Sequence, residues 1–231
     1  MSQPDPVTVA FVPQPPLLVP AVAGASTPAL ALLRAAVAAA VQVLLDTRPE
    51  VVVVVGGGVA DGVRFGPGDS GSMHGYGVDL RVPFAGRVRP GGRDLPTAHT
   101  LGAWLLDREG HGGARLGVGP DDLAAALDDV PGPVAVLAMG DGSARRTEKA
   151  PGALDPAAAR YDAAVAAALA AGDAAALAGL DPAEGERLLA AGVPVWRAVG
   201  RALSGRPVTA QLRYDDAPFG VGYLVADWSA R

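Results

Sequence analysis

The chain of 231 residues has no cysteine and only three histidines, His74, His99 and His111. Without cysteine there is no disulfide framework, no thiolate nucleophile and no thiolate metal ligand, so metal binding would depend on His, Asp and Glu. Histidines this widely separated in sequence are weak evidence for a metal site. We expect His99 to cap or pack against a helix and His111 to be solvated in its glycine-rich loop.

Clustered positive charge is also scarce. The formal net charge is −5 and the pI is about 5.1. Nucleic-acid binders neutralise phosphates with grouped Lys and Arg, so this composition argues against that class. The one basic cluster, Arg145-Arg146 with Lys149, is interrupted by Glu148 and is typical of a solvated loop.

Long apolar runs are missing as well. Hydrophobic residues make up 50% of the chain, but much of that is alanine, and we expect no membrane span of roughly 20 apolar residues. The segment Met1–Pro6 has Asp5 and two prolines where a secretory signal would be basic, so we expect a cytoplasmic protein. The length fits a single domain over residues 1–231.

Strand and helix signals alternate along the chain. The apolar run Val7–Val12 predicts a strand, and Thr27 followed by proline predicts the start of an amphipathic helix that ends near residue 45. Five valines, Val51–Val55, end at three glycines, Gly56 to Gly58. An uninterrupted apolar run of this kind is typical of a parallel strand that is buried on both faces.

The second half continues this alternation. Residues 61–92 are dense in glycine and proline and predict a long loop that contains a strand at 78–82. We then predict helices at 96–108 and 120–127, strands at 116–118 and 133–139, three helices between 156 and 203, and closing strands at 208–214 and 220–228. The fold class is therefore α/β, with a mixed, largely parallel central sheet and helices on both faces in three layers.

Common active-site motifs are incomplete. The glycines after the valine strand lack the further glycines and the acidic residue of a dinucleotide fingerprint. Gly142-Ser143-Ala144 does not complete a nucleophile elbow, and Ser72 and His74 stand too close in sequence to converge in an extended loop. The turn Gly140-Asp141-Gly142-Ser143 follows a buried strand and could be either a tight turn or a ligand contact.

Three segments together resemble a known family. The chain is similar to the subunit-B-like class III extradiol ring-cleavage dioxygenases, a superfamily that includes the Memo-related proteins, and most of all to alanine-rich members from high-GC actinobacteria. The likeness covers residues 7–228. The segments that carry it are Ala10-Phe11-Val12-Pro13-Gln14-Pro15-Pro16, Met139-Gly140-Asp141-Gly142-Ser143-Ala144-Arg145-Arg146 and Ala217-Pro218-Phe219-Gly220-Val221-Gly222-Tyr223.

The resemblance implies an iron site whose residues are replaced here. Active members hold ferrous iron with two histidines and a glutamate and use another histidine as acid and base. The positions of the two iron-binding histidines carry Gln14 and Gly57, and the acid/base position carries Ala144. Asp216 occupies the place of the glutamate. A lone aspartate with a glutamine cannot replace a site of two histidines and one carboxylate, so we expect no bound metal.

Three functions remain open. The first is a non-catalytic or repurposed member, a pseudoenzyme whose cleft binds a small aromatic or anionic molecule or a protein partner. The second is an active ferrous-iron dioxygenase with an unusual ligand set, for which His74 is the available histidine. The third is a structural subunit in a homo- or hetero-oligomer. The expected floor of the cleft is formed by Gln14, Asp141, Ser143, Arg145, Tyr214 and Asp216, and Arg145 either contacts an anion or braces its turn.

Overall fold

The computed structural model describes residues 6–130 and 132–231 and places nine strands among them. The N-terminal segment whose composition argues against a secretory signal lies outside these residues, apart from Pro6. The strands are β1 (Val7–Val12), β2 (Val51–Val55), β3 (Arg64–Phe65), β4 (Ser70–Ser72), β5 (Arg81–Pro83), β6 (Ala114–Val118), β7 (Val134–Met139), β8 (Val208–Asp216) and β9 (Tyr223–Ala230).

Seven of these strands form the central sheet in the order β3-β6-β2-β7-β1-β9-β8. The four strands β6, β2, β7 and β1 run parallel to one another. Strand β9 is antiparallel to β1 and to β8, and β3 is antiparallel to β6. The end of β8 therefore lies at the same edge of the sheet as the ends of β1, β2 and β7.

Eight α-helices flank the sheet in the described part of the chain. They are α1 (Pro20–Ala23), α2 (Pro28–Asp46), α3 (Thr97–Arg108), α4 (Leu123–Asp129), α5 (Ala158–Ala171), α6 (Ala174–Ala178), α7 (Pro182–Arg187) and α8 (Val193–Ala202). The Thr27 Oγ1 accepts the Leu30 N–H at 3.2 Å and caps α2, as its sequence predicts.

Alternate residues of each central strand face two separate apolar cores. In β1, Val7, Val9 and Phe11 pack with α4, α5, α6 and α8, whereas Ala10 and Val12 pack with α2 and α3 on the opposite face. Burial on both sides explains the uninterrupted apolar runs. The three-layer α/β architecture with a mixed, largely parallel sheet is confirmed.

Some predicted boundaries differ from the structure. Four helices, α5 to α8, replace the three expected between residues 156 and 203, because Asp181 caps a short additional helix by accepting the Ala183 N–H. The long loop holds the small sheet of β4 and β5, whose second strand lies at Arg81–Pro83 and overlaps only the end of the predicted 78–82 strand.

Helix α2 is long and apolar enough, by length and composition, to cross a membrane. The sequence patterns predict no such segment. The helix is apolar by composition because seven of its 19 residues are alanine and most of the others are Leu or Val. One face of α2, including Leu33, Val37 and Val41, is fully or almost fully buried against the sheet. Packing of this kind is typical of a core helix in a globular domain.

Candidate functional site

Strands β1 and β7 are neighbours whose following connections leave the sheet on opposite faces. The chain after β1 passes to the face of α2 and α3, and the chain after β7 passes to the face of α5 and α8. Such a divergence opens a crevice outside the carboxyl ends of the strands, where open α/β sheets place their ligands. This crevice, between β1 and β7, is the candidate site.

Gln14 and Asp141 meet across the crevice. The Gln14 backbone N–H donates to the Asp141 Oδ1 at 2.7 Å. Burial raises the pKa of the Asp141 carboxyl to about 7, and the bond from Gln14 opposes this shift. The Gln14 side-chain Oε1 is buried and has no hydrogen-bond partner among the described residues. The crevice thus holds a titratable carboxyl beside an unused amide acceptor.

Two tyrosines line the neighbouring strands on the same face. In the register of β8 and β9, Leu212 pairs with Ala226 but Tyr214 pairs with Val225, so β8 has an extra residue at Arg213. This β-bulge turns Tyr214 toward the core beneath α2, where it packs on the same face as Tyr223.

Tyr223 lies within electrostatic reach of both Asp141 and Tyr214. The Tyr214 hydroxyl is buried without a hydrogen-bond partner in the described part of the chain. Burial, reinforced by the negative charge of Asp216, raises the pKa of Tyr214. Burial together with the charge of Asp141 raises the pKa of Tyr223. Both phenols therefore stay protonated and can donate hydrogen bonds at neutral pH.

Asp162, which sequence reasoning missed, holds the loop after β7. Its side chain is fully buried in α5 and accepts the Ser143 N–H at 2.9 Å and the Arg146 Nη1–H at 2.8 Å. Burial raises the pKa of Asp162, against the opposing effect of Ser143 and Arg146. A signal was present in the sequence: Asp162 shares the helical face of Ala158, Val165 and Leu169, so an acidic residue stands on an apolar stripe.

Glycines let this loop approach its neighbours. The Gly142 N–H donates to the Gly222 carbonyl at 2.7 Å, and the Gly222 N–H donates to the Ser143 carbonyl at 2.9 Å. A Cβ at Gly222 would lie 2.1 Å from the Asp162 Oδ2. The Ser143 hydroxyl is also occupied, since it donates to the Leu188 carbonyl at 2.7 Å. Ser143 is therefore a structural residue of the turn.

The adjacent arginines have different roles. Arg146 makes the ion pair with Asp162 and so braces the turn. Arg145 makes no ion pair among the described residues, and its buried Nε has no hydrogen-bond partner there. The Arg145 side chain lies beside Gly152, whose N–H donates to the Ala144 carbonyl at 3.0 Å. Arg145 is a partly buried cation whose charge lies within electrostatic reach of Asp155.

The four positions that the resemblance assigns to iron chemistry share an edge of the sheet but spread along it. Gly57 follows β2, Gln14 follows β1, Ala144 follows β7, and Asp216 ends β8. Strand β8 is the fourth strand along from β2 in the sheet. At ordinary strand spacing, this corresponds to about 19 Å. The exposed Asp216 accepts the Ala217 N–H at 2.7 Å. Gly57 and Asp216 therefore follow or end strands that are well separated along this edge.

Residues 6–130 and 132–231 contain no group of three or more histidine and carboxylate side chains that could hold a metal ion. His99 is fully buried, its Nε2 lies 3.0 Å from the Val118 carbonyl oxygen, and its ring centroid lies 5.0 Å from that of Phe65. Burial lowers the pKa of His99 to about 4, so it is a neutral packing residue. His74 is exposed in a 3₁₀ turn, and His111 is half-buried in its loop.

Comparison with known proteins gives little further information. No family model matches the chain, and no curated protein matches it. Among solved structures, it is similar to an uncharacterized protein, JW3007, from Escherichia coli K12, with 15% identity and a TM-score of 0.44. That match covers 97% of this chain and 99% of the other. The function of the crevice must be inferred from its own residues.

Proposed function

We propose that this chain is a non-catalytic relative of the extradiol dioxygenases and binds a small hydroxylated aromatic molecule in the crevice between β1 and β7. The observation that carries the proposal is the pair of buried, unpartnered polar atoms, the Gln14 Oε1 in the residue that bonds Asp141 and the Tyr214 hydroxyl near Tyr223. Buried polar atoms in folded proteins nearly always have partners. A ligand hydroxyl would supply one to each.

The chemistry of the crevice favours a ligand that donates hydrogen bonds. The Gln14 Oε1 can only accept, and Asp141 accepts in its ionised form. The half-buried Tyr214 side chain adds aromatic surface, which packs well against a second ring. A phenol or a vicinal aromatic diol combines a ring with hydroxyl donors. Arg145, in the loop after β7, packs beside Gly152 and supplies a cation for an acidic substituent.

Ring cleavage is not part of the proposal because the crevice lacks imidazole. Gln14, Gly57 and Ala144 occupy the positions where the resembling family has histidines. A structural-subunit role would instead need a contiguous exposed apolar patch.

The test compares catechol with 1,2-dimethoxybenzene, which has the same ring but no hydroxyl donors. Catechol should raise the melting temperature of the protein, and the methylated compound should not. Tyr214→Phe should weaken catechol binding by about tenfold. It should also stabilise the ligand-free protein by about 1 kcal/mol, because an unpaired buried hydroxyl is removed. That gain corresponds to roughly 2–4 °C in a domain of this size.

Tyr76→Phe is the matched control, since Tyr76 is exposed and its hydroxyl lies 3.0 Å from the Thr97 Oγ1, outside the crevice. Equal binding of both compounds, or unchanged catechol binding in Tyr214→Phe, would refute the proposal. Oxygen consumption should stay at background when ferrous iron and catechol are added together. Iron-dependent oxygen uptake that is lost in Asp216→Ala or His74→Ala would instead support an active dioxygenase.

A further inference from the structure

A separate cavity lies on the other face of the sheet, between α7, α8 and the turn before α4. Its volume is about 720 Å³, and its walls include Leu189, Ala191, Val193, Pro194 and Arg197. Pockets for small organic ligands commonly enclose roughly 300–1,000 Å³. The lining is mainly apolar and contains none of the crevice residues, so this cavity is distinct from the proposed aromatic site.

The cavity wall is fixed by hydrogen bonds from the loop after β7. The Gly192 N–H donates to the Asp141 carbonyl at 2.7 Å, and the Leu188 carbonyl accepts from Ser143. Between these anchors, Leu189 adopts a left-handed backbone with φ of 54° and keeps 44% of its surface exposed. A bulky residue rarely holds this conformation. The strain is offset by the anchors on either side, so the apolar wall is preformed.

The charged side chains that line the cavity differ in burial. Arg197 is half-buried in the wall, and one of its amino groups donates to the Leu180 carbonyl. The other charged lining residues, Asp121, Glu186 and Arg201, are exposed at the rim. Arg201 and Asp121 approach only to 3.9 Å, with 50% and 80% of their side chains exposed. The least exposed charged group of the lining is therefore the Arg197 guanidinium, and its other N–H groups are available as donors to a ligand.

We infer that this cavity binds an organic carboxylate with an apolar body. The apolar wall from Leu189 to Pro194 would cover the body, and Arg197 would receive the carboxylate. A guanidinium can bind both oxygens of a carboxylate at once, and such charge-assisted bonds are stronger than neutral ones. The inference does not depend on what the crevice between β1 and β7 binds.

The experiment uses three ligands with the same eight-carbon chain: octanoate, octan-1-ol and octylamine, each titrated calorimetrically into the full chain. Octanoate should bind with a stoichiometry of one and more tightly than the other two. Arg197→Gln should weaken octanoate by about tenfold, the effect expected for a hydrogen bond to a charged group, and leave octan-1-ol unchanged. Arg160→Gln is the control, because Arg160 is exposed on α5 away from the cavity.

A second variant keeps the inference testable if Arg197→Gln does not fold. Ala191→Trp adds a large side chain at an exposed position of the wall and should abolish octanoate binding without unfolding the chain. Octanoate binding that persists in Ala191→Trp, a preference for octylamine, or no octanoate binding by the wild type would overturn the inference. A dimer in light scattering that Ala191→Trp dissociates would overturn it too, since the cavity would then be an interface between two copies.

Discussion

The buried ion pair between Asp162 and Arg146 predicts how strongly the loop after β7 is held. Asp162 has no exposed side-chain surface, and the Arg146 side chain is 21% exposed. Removing one partner of a buried pair costs about 3–5 kcal/mol, because the other charge remains uncompensated. We expect Arg146→Leu to lower the free energy of unfolding by about 3 kcal/mol. This value is at the lower end of that range because Arg146 is partly solvated.

The neighbouring arginine supplies the control for this prediction. Arg145→Leu removes a guanidinium without an ion pair among the described residues and should change stability by less than about 1 kcal/mol. The double variant with Arg146→Leu and Asp162→Asn should lose less free energy of unfolding than the two single variants lose together, because both charges are then absent. Urea unfolding followed by tryptophan fluorescence measures the wild type, the three single variants and the double variant. Equal losses in Arg145→Leu and Arg146→Leu would refute the reasoning.

Two further predictions concern the crevice. The pKa of Asp141 is raised from 3.8 to about 7 in the folded protein, so the folded state retains a proton that the unfolded chain releases. Stability should therefore fall by about 2–4 kcal/mol as the pH rises from 4 to 8, because each tenfold difference in proton affinity between the two states is worth about 1.4 kcal/mol. Asp141→Asn should flatten this dependence in unfolding measured across that range, and an equally steep fall in the variant would contradict the assignment. Gly222→Ala should cost about 1–3 kcal/mol by crowding Asp162, whereas Gly75→Ala, which meets nothing within 4 Å, should be neutral in the same assay.

The sheet was predictable because its central strands are buried on both faces. The valine run of β2 and the apolar run of β1 have no polar alternation, which indicates a helix-covered parallel sheet. The predicted strand β1 has the same bounds in the structure. The boundaries of the short helices α6 and α7 were harder to predict, because five or six residues are too few to show a helical period.

The composition of the crevice was only partly predictable. Motif position was enough to place Gln14 and Asp141 at neighbouring strand ends, but not to reveal their hydrogen bond. The orientation of Tyr214 depends on the bulge at Arg213, and an extra residue in one strand leaves no periodic signal of its own. The pairing of Asp162 with Arg146 joins residues on different elements, and only the packing of α5 against the loop brings them together.

The contacts that hold the loop after β7 explain how a crevice could persist without a metal. The loop is fixed by Asp162, by the Gly222 backbone and by the Leu188 carbonyl. None of these groups occupies a position that the resembling family uses for iron or proton transfer. On the proposed family membership, replacement of imidazole at residues 14, 57 and 144 would therefore leave these supporting contacts intact. On the proposed family membership, the chain could lose ring-cleavage chemistry at little cost in stability and keep a polar crevice able to bind a new ligand.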